Sequence, residues 1–363
     1  NSYWPEVYTD IPIVEGSHPH PYRDTPTPRR CGTVSPLDPA LFCGVEEYVA
    51  ERLAGTSSGR YGPPEVARWL EQLAGAALRY LAVASEQAPD WAVPPFRRWA
   101  IDVRIEAGLG RFFAGKLRAA TGYALFERTG DVASLRAART HYRAARAAWA
   151  ETAGAARGVY QDDLAFGPEP HLRGHWIDRL AAIDADLAAM TARLIQARLT
   201  QSRQSRSGPA RAPGAPAGQP APAPAPRVTL DSLLAERPPE LALAHDPPGA
   251  FTPGEPLVLE AQVLSPVATV RLHYRHVNQA ERFSTLDLSL RPEGVGSATV
   301  RGRAVIPGAY TASPYPLQYH FVLGDGAGRA RLWPGLDAAG PEPRLANRPY
   351  YVVRPAPPAS GGR

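Results

Sequence analysis

Lysine is almost missing from this chain. Lys116 is the only one in 363 residues, although lysine and arginine together number 40. The positive charge is therefore nearly all arginine, and with the abundant alanine, proline and glycine this is the residue usage of a GC-rich genome. Methionine occurs once and cysteine twice. Cys31 and Cys43 could close a small loop in an oxidising compartment or stand as two buried thiols, and neither metal-ligand nor redox spacing is present. Long apolar runs are lacking too. None approaches the ~18 consecutive residues of a membrane-spanning helix, so no membrane span is expected. No basic–apolar–small-residue export signal is visible. The nucleophile elbow G-x-S-x-G, the phosphate-cradling glycine loop, the zinc-binding H-E-x-x-H and the dinucleotide fingerprint are also absent. The chemistries those motifs serve are set aside, and no cofactor is expected.

What is present is a chain of net charge +5 and 44% hydrophobic content, long enough for two or three domains. The arginines are scattered through helical stretches beside Asp and Glu, and no nucleic-acid-binding motif accompanies them, so nucleic acid is not an expected partner. The clearest boundary is "SGPARAPGAPAGQPAPAPAPR", residues 207–227. Alternating Pro and Ala favours extended polyproline II, builds no core and makes a semi-rigid spacer.

Before that linker the hydrophobic period is helical. In "SPLDPALFCGVEEYVAERLAG", Asp38 is placed to cap a helix with Pro39 at its first position, and Gly55 to end it. A second helix opens at "PPEVARWLEQLAGAALRYLAVA", with Val66, Leu70, Leu73, Ala77 and Leu81 in phase. A third runs from Pro95 to about Arg128, with Ile101, Ile105, Gly108 and Phe112 on one face. The fourth places Leu135, Ala138, Tyr142, Ala145 and Trp149 at helical spacing, and the fifth Trp176, Leu180, Ile183, Leu187, Met190 and Leu194. Stripes this regular predict an antiparallel bundle, with Ala and Gly at facing positions allowing close approach. After the linker the period becomes two. "EPLVLEAQVL", "ATVRLHYRHV", "FSTLDLSL", "GSATVRGRAVI", "LQYHFVLGD" and "RPYYVVR" predict about six to eight short strands in an immunoglobulin- or fibronectin III-like β-sandwich. The expected layout is the end of an upstream domain over 1–34, a helical bundle over 35–206, the linker, a sandwich over 228–356 and a tail over 357–363.

Two stretches carry functional side chains. In "NSYWPEVYTD", Trp4 and Glu6 form a W-x-E pair with Tyr3 and Tyr8 beside them and Asp10 following. An indole stacks on the apolar face of a pyranose while a carboxylate accepts hydrogen bonds from its hydroxyls. The same cluster is equally suited to packing as an aromatic strand end. "GVYQDDLAFGPEPHLRGHWIDRL", residues 158–180, joins two helices yet is long and rich in Gly and Pro, and long ordered connections are commonly functional or specifically docked. It holds Asp162, Asp163, Glu169, His171, Arg173 and His175. A carboxylate pair such as Asp162 with Glu169 could do acid–base work. A metal between His171 and His175 is opposed by the intervening Arg173, so no metal is expected. The alternative is a salt-bridged network that anchors the connection. "HPHP" at 18–21 reads as a structural loop.

The order of parts resembles the C-terminal portion of large bacterial glycoside hydrolases: a W-x-E strand end, then a helical region with "RYGPPEVARWLEQLAGAA" and "FGPEPHLRGHWIDRL", then a β-sandwich. The hexosaminidase family 20-like and α-glucuronidase-like enzymes are the nearest in layout. That resemblance implies a (β/α)₈ catalytic barrel upstream, with Trp4 and Glu6 lining the sugar subsite at its end. The barrel's paired Asp-Glu is not in this sequence, so the catalytic set is incomplete here. The expectation is the C-terminal accessory region of a secreted or cell-surface bacterial carbohydrate-active enzyme, part of a longer chain, acting on a poly- or oligosaccharide. A non-catalytic cell-surface binding or scaffold protein is the alternative.

Overall fold

The structure, a computed structural model, describes residues 9, 11–17, 30–33, 36, 38–87, 94–165, 173–206, 228–292, 300–336 and 349–357. The chain is mixed α and β, and divides into two compact units. One comprises Asn1–Leu53 with Gly62–Glu236, the other Ala54–Tyr61 with Arg237–Arg363. The 207–227 linker lies outside the described residues.

The first unit is helical. Its elements are α1 (Val45–Leu53), α2 (Pro63–Gln87), α3 (Pro94–Thr129), α4 (Val132–Ala156), the short ladder β1 (Leu164–Ala165) with β2 (Arg173–Gly174), α5 (Leu180–Arg206) and α6 (Leu230–Ala235). Starts and stops follow local chemistry. Pro63–Pro64 and Pro94–Pro95 open α2 and α3, where a missing N–H costs nothing. Gly130, at φ +70°, ends α3, and Asp131 then caps α4 by accepting from the Ser134 amide at 3.0 Å. One boundary differs from expectation. Asp38 does not cap a long helix; its carbonyl accepts from the Leu41 and Phe42 amides in a turn, and α1 begins only at Val45.

A glycine stripe sets the packing of α3 on α4. Gly108, Gly115 and Gly122 recur every seventh residue and so lie on one face of α3. A Cβ at the first would run into Thr152 Oγ1, and at the other two would fall 2.9 Å from Ala145 Cβ and 3.0 Å from Ala138 Cβ. The partners descend as the glycines ascend, so the two helices run antiparallel, nearly backbone to backbone. Gly110 brings the next face of α3 against α2, its added Cβ meeting Leu70 O at 3.2 Å. Around this seam one core gathers Phe112, Leu125, Leu135, Tyr142, Trp149, Trp176, Ile183, Met190 and Leu194, all buried. Leu230 and Leu233 of α6 belong to it as well. The helical unit therefore continues past the position at which the sequence pattern was divided.

The second unit is built on β3 (Leu243–Ala244), β4 (Ala250–Phe251), β5 (Leu257–Val263), β6 (Thr269–His276), β7 (Ser284–Asp287), β8 (Ser289–Pro292), β9 (Val300–Ile306), the short α7 (Gly308–Thr311), β10 (Leu317–Gly324), β11 (Ala330–Trp333) and β12 (Tyr351–Pro355). One sheet has the order β4-β12-β10-β6-β7, with β11 also paired to β10, and the other the order β3-β5-β9-β8. All pairs are antiparallel except β12 with β4. Alternation does the work the period predicts. Leu257, Leu259, Ala261 and Val263 of β5 face the same core as Val270, Leu272 and Tyr274 of β6 and Leu317, Tyr319, Phe321 and Leu323 of β10. "STLDLSL" reads as one strand but is two. It passes from the first sheet to the second at the buried Leu288. β10 is buried on both faces over Leu317–Phe321. The segment Ala54–Tyr61 packs nearby, Gly59 lying so close that a Cβ would meet Val322 Cγ1 at 3.1 Å.

Candidate functional site

The most elaborate polar construction in the helical unit surrounds the segment at residues 9–14. Lys116, on α3 one turn beyond Phe112, is 1% exposed. Its ammonium donates to the carbonyls of Thr9 at 2.8 Å and Ile11 at 2.7 Å. Asp186, on α5 and 0% exposed, accepts from the amides of Ile13 at 2.7 Å and Val14 at 2.9 Å. The Pro12 carbonyl accepts from the Cys31 amide at 2.7 Å. An irregular segment buried against helices has no ladder to satisfy its backbone. Here a cation supplies donors to the first part of it and an anion supplies acceptors to the next. Ile11, Ile13 and Val14 are then free to bury their side chains. Burial pushes the Cys31 thiol up, with Lys116 opposing and Asp186 reinforcing that shift. Tyr3, Trp4, Glu6, Tyr8 and Asp10 lie outside the described residues, but Thr9, between two of them, is held by Lys116.

In the 158–180 connection, Glu169 and His171 fall outside the described residues. Asp163, Arg173 and His175 are engaged in local structure. Arg173 grips Asp163 through two hydrogen bonds, at 3.0 and 2.6 Å, across the β1–β2 ladder, where Ala165 pairs with Arg173. That hydrogen-bonded guanidinium lowers the Asp163 pKa. His175 is 3% exposed, and its Nδ1 accepts from the Ile177 amide at 3.2 Å. Asp178 returns the bond by accepting from the His175 amide at 2.7 Å. This capping box starts the 3-10 turn Trp176–Arg179 that leads into α5. Asp162 is exposed. Trp149 and Trp176 are core side chains, and the indole of Trp149 donates to the Trp176 carbonyl at 2.7 Å.

The sheets hold histidines that the sequence pattern did not single out. His273 of β6 and His320 of β10 are direct cross-strand partners, with rings stacked at 4.9 Å. His320 is 2% exposed, its Nδ1 has no hydrogen-bond partner, and Phe283 meets its ring edge-on. Burial pushes its pKa down to about 3, with His273 and Arg275 adding to the fall. Burial also carries His273 down to about 4. On the opposite face Glu281 accepts from the Tyr310 hydroxyl and contacts His276 Nδ1 at 2.9 Å, while the His276 and Tyr310 rings stack at 4.6 Å. His245 spans Glu260 O at 2.6 Å and the Tyr319 hydroxyl at 2.8 Å. Adjacent-strand pairing was the available signal: the HYRH of β6 and the YHF of β10 fall in register only once the strands are paired.

Both cysteines are free thiols. Cys43, Glu47 and Glu51 bring their ligand atoms within 4.8 Å of one another, a thiolate-and-carboxylate set that a borderline divalent ion accepts. Each of the three also takes part in another interaction. Among the described residues, no helix is long and apolar enough to cross a membrane. Comparison with family models and with curated proteins gave no match.

Proposed function

We propose that this chain is an accessory region of a carbohydrate-active enzyme, one that supports and binds rather than catalyses. In this reading the helical unit is an antiparallel bundle that buttresses the segment carrying the sugar-contacting residues. The sheets form an immunoglobulin- or fibronectin III-like sandwich that serves as a spacer or glycan-contacting module. The observation that carries the buttress role is the clamp of Lys116 and Asp186 on residues 9–14. Two fully buried opposite charges are devoted to the backbone of that segment, and burying charge is costly unless every donor and acceptor is matched. Such a device fixes the backbone of Thr9, Ile11, Ile13 and Val14. The carbohydrate assignment itself rests on the W-x-E pair and on the order of parts.

Calorimetric titration with N-acetylhexosamine- and glucuronate-containing oligosaccharides tests the reading, beside turnover assays on the corresponding chromogenic glycosides. The expected result is binding without turnover, with Glu6→Gln abolishing binding and leaving the melting temperature unchanged. Hydrolysis by this chain alone would overturn the accessory role. Undiminished binding by Glu6→Gln would overturn the sugar site.

A further inference from the structure

α5 carries two apolar stripes, and the helical core uses only one. Ile183, Met190 and Leu194 point into the core and are buried. Ala188, Ala192, Ile195 and Leu199 recur at the same helical spacing on another side and are exposed, Ile195 at 55% and Leu199 at 56%. A solvent-facing helix surface is normally polar, and a continuous exposed apolar strip marks a contact surface. Beside this strip, the seam between α4 and α5 opens into a groove of about 590 Å³, lined among others by Arg143, Leu187, Ala188, Ala192 and Ile195.

The rim of the groove is basic. At one end Arg146 is satisfied by Asp184 through two bonds of 2.9 Å. Further along, Arg139 has only a long contact of 3.5 Å to Thr191 Oγ1. Burial lowers the Arg139 guanidinium pKa, and Arg143 and Arg198 stand close enough to lower it further. Neither Arg143 nor Arg198 has a carboxylate partner among the described residues. Three like charges thus gather along an apolar floor, a combination that is unfavourable in isolation and complementary to an amphipathic anion.

We propose that the α4–α5 groove is a docking site for an acidic amphipathic helix of a protein partner. Its apolar face would lie on Leu187, Ala192, Ile195 and Leu199, and its carboxylates would meet Arg139, Arg143 and Arg198. The floor from Asp184 to Leu199 is about 22 Å long at 1.5 Å per residue, which matches about four turns, or about 15 residues, of partner helix. A second copy of the same face would set arginine against arginine, so the complementarity selects an acidic partner.

Fluorescence anisotropy with a labelled synthetic peptide of about 15 residues tests this, the peptide bearing leucines at 3–4 spacing flanked by glutamates. The expected result is saturable binding that weakens as salt rises. Arg143→Glu and Ile195→Asp should each weaken it by about tenfold or more. Both positions face solvent, and unchanged circular dichroism and melting temperature would show that each variant is folded. Equal binding of the peptide with lysines in place of glutamates would overturn the proposal, as would wild-type affinity in Arg143→Glu. Sedimentation with phosphatidylserine–phosphatidylcholine vesicles but no peptide binding would overturn it in favour of a lipid surface. A dimer that Ile195→Asp dissociates, again without peptide binding, would overturn it in favour of self-association.

Discussion

Replacing Gly115 by alanine isolates the close approach of α3 and α4. In an exposed helix interior, Gly→Ala stabilises by roughly 1 kcal/mol, because alanine restricts the unfolded chain and is the better helix former. Gly75 in α2, half-buried but sterically open, provides the reference: its added Cβ would meet only the flexible end of Arg79, at 3.5 Å. At Gly115 the same methyl would lie 2.9 Å from Ala145 Cβ, 3.1 Å from His141 O and 3.2 Å from Ala145 Cα. Two of those three atoms are backbone, so relief requires α4 to move as a body. Overpacking of this kind costs about 1–3 kcal/mol, which cancels or exceeds the propensity gain. Valine, with two further methyl groups, should cost about 3 kcal/mol or more. For a unit of this size about 1 kcal/mol corresponds to roughly 2–4 °C. Thermal unfolding followed at 222 nm should therefore show Gly75→Ala melting higher than wild type, Gly115→Ala melting at or below it, and Gly115→Val melting well below both. A Gly115→Ala protein stabilised as much as Gly75→Ala would refute the close helix contact.

Acid should weaken the sheet unit. The folded pKa values of His320 and His273, about 3 and about 4, lie below the usual value near 6.5. Above ~6.5 both imidazoles are neutral in folded and unfolded chains and add no pH dependence. Between ~6.5 and ~4 only the unfolded chain takes up the protons, so stability falls as pH drops, by at most about 1.4 kcal/mol per pH unit for each histidine. Urea unfolding at stepped pH should show this slope over a range in which ordinary carboxylates are still ionised, and His320→Gln should reduce it, with His273 and the half-buried His245 supplying the remainder. A flat profile there would count against the buried neutral pair. In the helical core, Trp149 is 0% exposed and packs on Phe112 at 4.9 Å. Trp149→Ala should cost roughly 3–5 kcal/mol in chemical denaturation, and unchanged stability would remove it from the core.

Long amphipathic stripes were legible because each reports only on its own helix. α3 and α4 fall where their periodicity and their Pro and Asp starts predict them; α2 opens at its predicted prolines, but its buried face is Ala67, Trp69, Ala74 and Ala76, and Leu73 of the expected stripe is exposed. The short or composite elements were not. "DPALFCG" carries capping residues, yet two turn bonds to the Asp38 carbonyl use them outside α1. α6 has only six residues and no period of its own, and it is recognisable only through Leu230 and Leu233 in the helical core. "STLDLSL" alternates without a break, and nothing local marks the change of sheet at Leu288. β10 is covered on both faces, so "LQYHFVLG" lacks the clean alternation of β5 and conceals His320 among apolar neighbours.

The clamp on residues 9–14 was hidden for a different reason. Both of its charged members stand in register with apolar stripes that were visible: Lys116 follows Phe112 by one turn, and Asp186 lies between Ile183 and Met190. A polar residue in phase with a core stripe must find a partner or cost several kcal/mol, so each position was a signal that a buried acceptor or donor was needed. The partners turn out to be backbone carbonyls and amides of a distant segment, and backbone carries no sequence signature. The single lysine in a chain otherwise served by arginine becomes intelligible on the same ground. A compact ammonium reaches two neighbouring carbonyls, Thr9 O and Ile11 O, from inside a helix–helix core where a planar guanidinium fork would need more room and more acceptors.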